Sequence, residues 1–111
     1  MSATDFIVPL DVNDKGGVDV RLALAGDVFR LRVTYNASDD SWWLSLFDED
    51  DTPLRRSIRM VAGLPLLLDL VDPRRPKGEI IIIDSVSPSR DPIAGDLGTR
   101  HTLYFVPFAV A

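Results

Sequence analysis

The chain has 111 residues, of which 46% are hydrophobic and 26% are charged, and it contains no cysteine. These values indicate one globular domain, 1–111, with a modest core, and they exclude a chain that is disordered throughout. The lack of thiols excludes disulfides, thiolate zinc sites and a cysteine nucleophile. The formal net charge is −5. Because domains that bind nucleic acid freely are usually basic, nucleic acid is an unlikely partner class on composition alone.

The kinds of charged residue indicate a turn-rich architecture. Asp outnumbers Glu 15 to 2, and Arg outnumbers Lys 10 to 2. Asp favours turns and caps, whereas Glu and Lys favour helices. Residues 1–5 lack the basic start and apolar stretch of a secretory signal. The longest apolar stretch, 60–71, is shorter than the about 20 residues that a transmembrane helix needs, so no membrane partner is expected.

The first half of the chain has the pattern of short β-strands. An extended segment at 6–10 opens it, and Pro9 indicates a sheet edge, because proline cannot donate to a β-ladder. Apolar and polar residues then alternate over 18–25 and again over 29–35, on either side of a two-residue turn at 26–27. This period of two around a tight turn predicts a β-hairpin.

The next two strands differ in the chemistry of their faces. A strand at 42–47 carries large side chains on both faces, with Trp42 on one and Trp43 on the other. We therefore expect both of its faces to be covered, either within the domain or by a partner. After an acidic turn at 48–53, residues 54–60 alternate as a strand with a basic outer face.

The second half predicts two more strands and a long loop. The leucine-rich stretch 64–70 is interpreted as one short helical turn. Four consecutive isoleucines at 80–83 predict a strand that is buried on both faces. An irregular segment at 85–99, long enough to be functional or to order the fold, precedes a last strand at 101–106. The predicted fold is all-β: a small antiparallel β-barrel or sandwich of about seven strands with one short helical turn.

Two features that suggest catalysis or metal binding have plainer interpretations. The acidic turn at 48–51 lacks the glycine of a calcium loop, since Pro53 stands in that place, and no bidentate Glu follows. It is interpreted as a solvated hairpin tip. His101 is the single histidine, and no Gly-x-Ser-x-Gly elbow accompanies it. We expect a hydrogen-bonded strand residue there, and we expect no enzyme activity, no cofactor and no metal site.

A series of segments follows a recognisable order along the chain. An arginine-containing strand precedes the Trp-Trp-Leu-Ser-Leu strand, and an Asp-Pro and an Asp-Leu-Gly-Thr-Arg segment come late. The segments are 28–36, 40–48, 63–70, 82–84, 91–92, 96–100 and 103–104. This order resembles the small baseplate plug family of contractile-tailed phages, described for a cyanophage. The resemblance covers about residues 8–106.

The resemblance implies a structural virion protein of the tail baseplate, without enzyme activity. Its place would be near the tail axis, after assembly in the host cytoplasm, plugging the channel or joining hub and tube. The implied partners are further copies in a homo-oligomer around the tail axis, baseplate hub proteins and tail tube proteins. The alternative is a small ligand- or oligonucleotide-binding β-barrel, which would need a basic concave face with stacked aromatic side chains.

Outward-facing arginines are candidates for contact with partners. If the apolar residues of 29–35 face the core, Arg30 and Arg32 face outward, and Arg55 and Arg59 do the same on a nearby strand. In a twisted sheet these side chains would form a basic stripe. The stripe could dock on an acidic protein surface, contact DNA phosphates, or only keep the sheet soluble. Acidic hairpin tips would complement it between copies, and salt would then weaken assembly.

Aromatic and apolar residues complete the candidate interface. An outward tryptophan commonly anchors an interface. The uncharged segment 105–111 is expected either to pair with a neighbouring subunit by strand addition or to fold back on its own barrel. The candidate interface residues are Trp43, Arg55, Arg59, Arg74, Arg75, Phe105, Phe108 and Val110.

Overall fold

The computed structural model of this chain describes residues 6–7 and 17–108, and seven strands in that part form two antiparallel sheets. The strands are β1 (Phe6–Ile7), β2 (Val18–Leu24), β3 (Asp27–Asn36), β4 (Ser41–Phe47), β5 (Pro53–Arg59), β6 (Gly78–Asp84) and β7 (His101–Pro107). The four-stranded sheet has the order β2-β3-β4-β5, and the three-stranded sheet has the order β1-β7-β6. The predicted all-β fold is confirmed.

One hydrophobic core lies between the two sheets. Alternate residues of β3 and β4 are buried against alternate residues of β6 and β7, as the two-residue period of a strand requires. The sheets therefore pack face to face as a sandwich. The core side chains are Leu24, Phe29, Leu31, Val33, Trp42, Leu44, Leu46, Met60, Leu66, Leu67, Leu70, Ile80, Ile82, Leu97, Leu103 and Phe105.

The segment after β5 carries the chain from one sheet to the other. The Met60 N–H donates to the Trp42 carbonyl in the four-stranded sheet, and the Gly63 N–H donates to the Ile82 carbonyl of β6. The Leu66 N–H donates to a second carbonyl of the same strand. This segment covers the outer edge of β6 and closes one side of the sandwich.

The predicted helical turn is a single hydrogen-bonded turn. The Leu70 N–H donates to the Leu67 carbonyl at 3.0 Å, and no helix continues from it. Leu67 and Leu70 point into the core while Leu68 is exposed. Among residues 6–7 and 17–108, no helix is long and apolar enough to cross a membrane.

The isoleucine strand is buried on one face only, so the prediction of burial on both faces is wrong. Ile80 and Ile82 are fully buried, whereas Ile81 is half-buried and Ile83 is 46% exposed. All described strands belong to the two facing sheets. None of them forms a third layer that could cover the outer face of β6.

The edge strand β5 is irregular, and this changes which way its arginines point. Its register against β4 shifts twice, and Ser57 has a φ of 57°. As a result Arg55 lies opposite Leu46 and Arg59 lies opposite Trp43. Leu46 and Trp43 point to opposite faces of β4, so the prediction that Arg55 and Arg59 share one face is wrong.

The β2–β3 hairpin turns at Ala25-Gly26, one residue earlier than the sequence predicts. Both turn residues have positive φ, 54° and 95°. Two such residues make a type I′ turn, whose twist matches the twist of the flanking strands. Gly26 adopts this conformation freely, but an L residue with a Cβ costs roughly 1–2 kcal/mol there. Ala25 is thus a strained position that is held by the hairpin register on both sides.

We expect Ala25→Asn to stabilise the chain by about 0.5–1 kcal/mol, because Asn tolerates positive φ and Asn-Gly suits a type I′ turn. Urea unfolding measures the change. Ala23→Asn, at an exposed position of β2, controls for the change in composition and should stabilise nothing. Equal effects of the two variants would contradict the turn assignment.

Candidate interaction surfaces

The outer face of the four-stranded sheet holds a network of paired charges instead of a bare basic stripe. Arg30 and Arg32 face outward, as expected. Asp19 Oδ1 accepts a hydrogen bond from Arg32 Nε at 3.1 Å and lies 3.4 Å from Arg30 Nη1. Asp51 Oδ1 accepts from Arg30 Nε at 2.9 Å and from Arg21 Nη2 at 2.8 Å. The arginines of the predicted basic stripe thus find their acidic partners, Asp19 and Asp51, within the same chain.

The same arginines cover the aromatic side chains of β4. The Arg30 guanidinium lies 4.1 Å from the centroid of the Phe47 ring, and the Arg59 guanidinium lies 5.8 Å from that of Trp43. Arg59 also donates to Asp39 at 3.3 Å. These cation–π contacts leave Trp43 half-buried. Both faces of β4 are therefore covered within the chain.

The acidic turn at 48–51 is organised by its own side chains. Asp48 Oδ1 accepts from the backbone N–H groups of Asp50 and Thr52, both at 2.9 Å. Asp51 turns back to the arginines of the sheet. In the described part of the chain, no group of three or more His, Asp or Glu residues is placed to hold a metal ion. The turn is the tip of the β4–β5 hairpin, as the sequence predicts. Arg21 and Arg30 reduce the repulsion between its carboxylates by pairing with Asp51.

The neighbouring candidates Arg74 and Arg75 have different surroundings. Arg74 is exposed and binds both carboxylate oxygens of Asp72, at 3.1 and 2.7 Å. Its hydrogen bonds lower the pKa of Asp72 to about 2. The Arg75 side chain is only 15% exposed and lies 3.5 Å from Glu79 Oε2. It donates to the backbone carbonyls of Leu67, Leu70, Pro76 and Gly78. Arg75 therefore anchors the loop before β6, and most of its N–H donors are already used within the chain.

The candidate interface residues near the C-terminus differ in exposure. Phe105 is fully buried in β7, where a Cβ on Gly78 would come within 2.5 Å of its ring. The prediction that Phe105 contacts a partner is therefore wrong, and so is strand addition starting there, because β7 is the central strand of its own sheet. Phe108 is 50% exposed, and its N–H donates to the Lys77 carbonyl. Val110 lies outside the described residues.

A partly exposed apolar surface lies on the outer face of the three-stranded sheet. Strand alternation places Ile81 and Ile83 of β6 there, beside Tyr104 and Val106 of β7. They line an open groove of about 270 Å³. We call these four side chains the apolar face. Glu79 stands at its rim with a side chain only 15% exposed, held by the loop before β6.

The long loop 85–100 is tied down by a buried ion pair. The Asp84 side chain has no exposed surface and accepts from Arg100 Nε at 2.7 Å and Nη2 at 2.8 Å. These bonds hold the pKa of Asp84 well below its usual range, although burial opposes the shift. The loop also reaches the other sheet, because the Trp42 indole N–H donates to the Ile93 carbonyl at 2.9 Å. The loop is an ordering element, one of the two roles expected for it.

His101 lies buried beneath this loop. Its Nε2 is 2.6 Å from the Arg90 carbonyl, so Nε2 carries the proton and donates. Its Nδ1 has no hydrogen-bond partner in the part of the chain that the structure describes, and the nearest Asp96 oxygen is 3.6 Å away. The ring faces a carbonyl and carboxylates, not a nucleophile, which agrees with the structural role that the sequence predicts.

Comparison with known families covers nearly all of this architecture. The family model described as the cyanophage baseplate Pam3 plug gp18 matches residues 6–108, a range that includes all seven strands. The chain belongs to this plug family. No curated protein matches it. Membership identifies a structural component of the phage tail baseplate, and it indicates a role without catalysis.

For a plug, the apolar face is the feature that the sequence interpretation missed. The run of four isoleucines predicts burial on both faces of its strand, and this prediction places Ile81 and Ile83 in the interior. The alternation of Thr102, Tyr104 and Val106 with buried partners in β7 was the available signal. Residues 17–108 contain no amphipathic helix that could cover the second face of this sheet.

We expect Arg75→Lys to lower the free energy of unfolding of the plug by about 2–3 kcal/mol. A lysine cannot reproduce the planar fork that satisfies several buried carbonyls. Arg74→Lys is the matched control, since the adjacent side chain is exposed, and it should unfold close to wild type. Chemical denaturation of both variants measures the difference. Equal losses would show that the carbonyl contacts of Arg75 contribute nothing specific.

We expect Asp84→Asn to lower the melting temperature at neutral pH and to matter less in acid. The folded pKa of Asp84 is depressed below the unfolded value of about 3.9. Its stabilisation is therefore fully present above about pH 4 and is lost as pH falls through the folded pKa. Thermal unfolding from pH 7 to 3 should show the gap from wild type narrowing. Asp69→Asn, which removes an exposed carboxylate, is the control, and a gap independent of pH would contradict the assignment.

Proposed function

We propose that this chain is a structural plug of a phage tail baseplate, or of a related tail-like particle, acting near the tail axis. It plugs the channel or joins hub and tube through symmetric contacts between copies and through contacts with hub and tail tube proteins. Family membership supports the baseplate role. The observation that carries the mode of action is the apolar face, a surface suited to permanent contact with protein.

The two outer faces of the sandwich differ in chemistry: one is charged and the other is apolar. On the four-stranded sheet, carboxylates and guanidinium groups of the chain form ion pairs with one another, and this charged face is well suited to contact with solvent. On the three-stranded sheet, Ile83 is 46% exposed and the rest of the apolar face is only half-buried. Contiguous apolar patches of this kind mark interaction sites. A tyrosine at the centre fits, since tyrosine offers a large apolar surface with a polar tip.

The paired charges speak against an oligonucleotide-binding barrel. Such a module needs free guanidinium groups for phosphates and open aromatic rings for stacking. Here Arg30 is bound to Asp19 and Asp51, and the rings of Phe47 and Trp43 lie under arginines. The same pairing of charges supports apolar contact, more than attraction between opposite charges, as the main force of the proposed assembly.

The test is incorporation of variant plugs into tail particles. Ile83→Lys places a charge on the apolar face, and we expect it to reduce incorporation about tenfold or more, because burying an unpaired ammonium group is costly. Thr34→Lys makes the same substitution at an exposed position on the outer face of the four-stranded sheet and should be incorporated normally. Quantitative mass spectrometry of purified particles gives the ratio of plug to hub protein. Equal incorporation of both variants would refute the proposed contact.

A further inference from the structure

We propose that another tail protein adds an extended segment to the four-stranded sheet of this chain, along the outer edge of β2. The segment pairs with β2 through its backbone and carries apolar side chains at every second position. The inference rests on the proposed function, because it names a second contact of the plug and the kind of partner segment that this contact binds.

The strand β2 differs from the other edges of the two sheets. The segment after β5 covers the edge of β6, where the N–H groups of Gly63 and Leu66 donate to β6 carbonyls. The register of β5 shifts twice, which disfavours pairing with a further strand. The strand β1 spans only two of the described residues. In contrast, β2 keeps an unbroken register with β3 over seven residues, and no strand of residues 6–7 and 17–108 pairs with its other side.

The hairpin fixes which backbone groups of β2 point to this edge. In a hairpin with a two-residue turn, the residues that flank the turn exchange hydrogen bonds, here Leu24 and Asp27. Hydrogen-bonded pairs then alternate with other pairs along the ladder. The N–H and C=O groups of Asp19, Arg21 and Ala23 therefore point away from β3. They form a row of donors and acceptors that repeats every two residues, about 6.8 Å apart, and an extended backbone has the same repeat.

The inner face of β2 selects apolar side chains in the added segment. Val18, Val20 and Leu22 pack against the core but are only half-buried. Their neighbours on β3, Leu31 and Val33, are fully buried. The core is therefore partly open along this edge. Apolar side chains at alternate positions of an added strand would stand beside these residues and remove their exposed surface from water.

The charged side chains of β2 do not protect this edge. Edge strands are commonly protected by lysine, by proline or by charges that point inward, and residues 18–24 contain none of these. Asp19 binds Arg32 of the neighbouring strand at 3.1 Å, and Arg21 binds Asp51 of the β4–β5 turn at 2.8 Å. Both side chains thus reach over their own sheet and away from the edge.

A second copy of this chain suits the edge less well than another protein does. Each copy has a formal net charge of −5, so copies repel one another. In the described part of the chain every strand already belongs to a sheet, so a copy has an edge to offer but no spare strand. Pairing of two β2 edges ends in a twofold dimer, which does not continue into a ring around a tail axis.

Hydrogen exchange of the purified chain, followed by NMR, tests whether the edge is open. The amide protons of Arg21 and Ala23 should exchange about tenfold or more faster than those of Val20 and Leu22, which are bonded to β3. Equal rates at the four positions would overturn the proposal, because the edge would then be no more open than the paired side of the strand.

Two substitutions at one position test the contact in tail particles. Ala23→Pro removes an N–H of the edge row but no bond to β3, and edge strands tolerate proline. We expect the ratio of this variant to hub protein in purified particles to fall about tenfold, because a hydrogen bond is lost and the proline ring disfavours a neighbouring strand. Ala23→Val keeps the N–H and should be incorporated like wild type. Quantitative mass spectrometry measures both ratios.

Hydrogen exchange of wild-type particles needs no variant and serves if Ala23→Pro fails to fold. Residues 18–24 should exchange about tenfold more slowly in the particle than in the purified chain, and equal rates would overturn the proposal. Normal incorporation of Ala23→Pro with exclusion of Ile83→Lys overturns the edge contact but leaves the proposed function intact. A purified wild-type chain that dimerises, with the dimer lost in Ala23→Pro, overturns the assignment to another protein. Exclusion of folded Ala23→Pro with normal incorporation of Ala23→Val supports the proposal.

Discussion

In the described part of the chain, two sheets present four faces and no helix is available to cover any of them. Two faces turn inward and share one core, which holds Phe29 and Leu31 on one side and Ile80 and Phe105 on the other. The remaining two faces must either suit water or be covered by another molecule. The structure treats them in opposite ways, and this difference leads from the fold to the proposed role in a baseplate.

The charged face shows that counting basic residues is a poor guide to a docking site. Asp51 reaches back from the β4–β5 turn to bind Arg21 and Arg30, and Asp19 bridges Arg30 and Arg32 from the next strand. Exposed pairs of this kind contribute little to stability individually. Their effect is to pair the guanidinium groups of Arg21, Arg30 and Arg32 with carboxylates of the same chain, which leaves these three arginines less free to bind phosphates.

The period of two was enough to predict the hairpin of β2 and β3, the inward turn of Phe29 and the all-β class, because each depends on local alternation. The same rule failed at β5, where a bulge at Ser57 separates Arg55 from Arg59, since a bulge depends on the partner strand. It also failed at the isoleucine run, because whether a second layer covers a strand is a property of the whole fold. The role of Arg75 was hidden for a related reason: its acceptors are backbone carbonyls, which carry no signal in side-chain sequence.

The irregular strand β5 has a consequence for how this molecule can polymerise. Bulges and arginines blunt that edge of the four-stranded sheet, while β2 at the other edge keeps an unbroken register with β3. An endless ribbon needs two receptive edges on every molecule, one to accept a strand and one to offer it. A sheet with one blunted edge can add at most a single neighbour through its backbone. A sheet with this asymmetry of edges is therefore a poor template for fibres that grow by repeated strand addition.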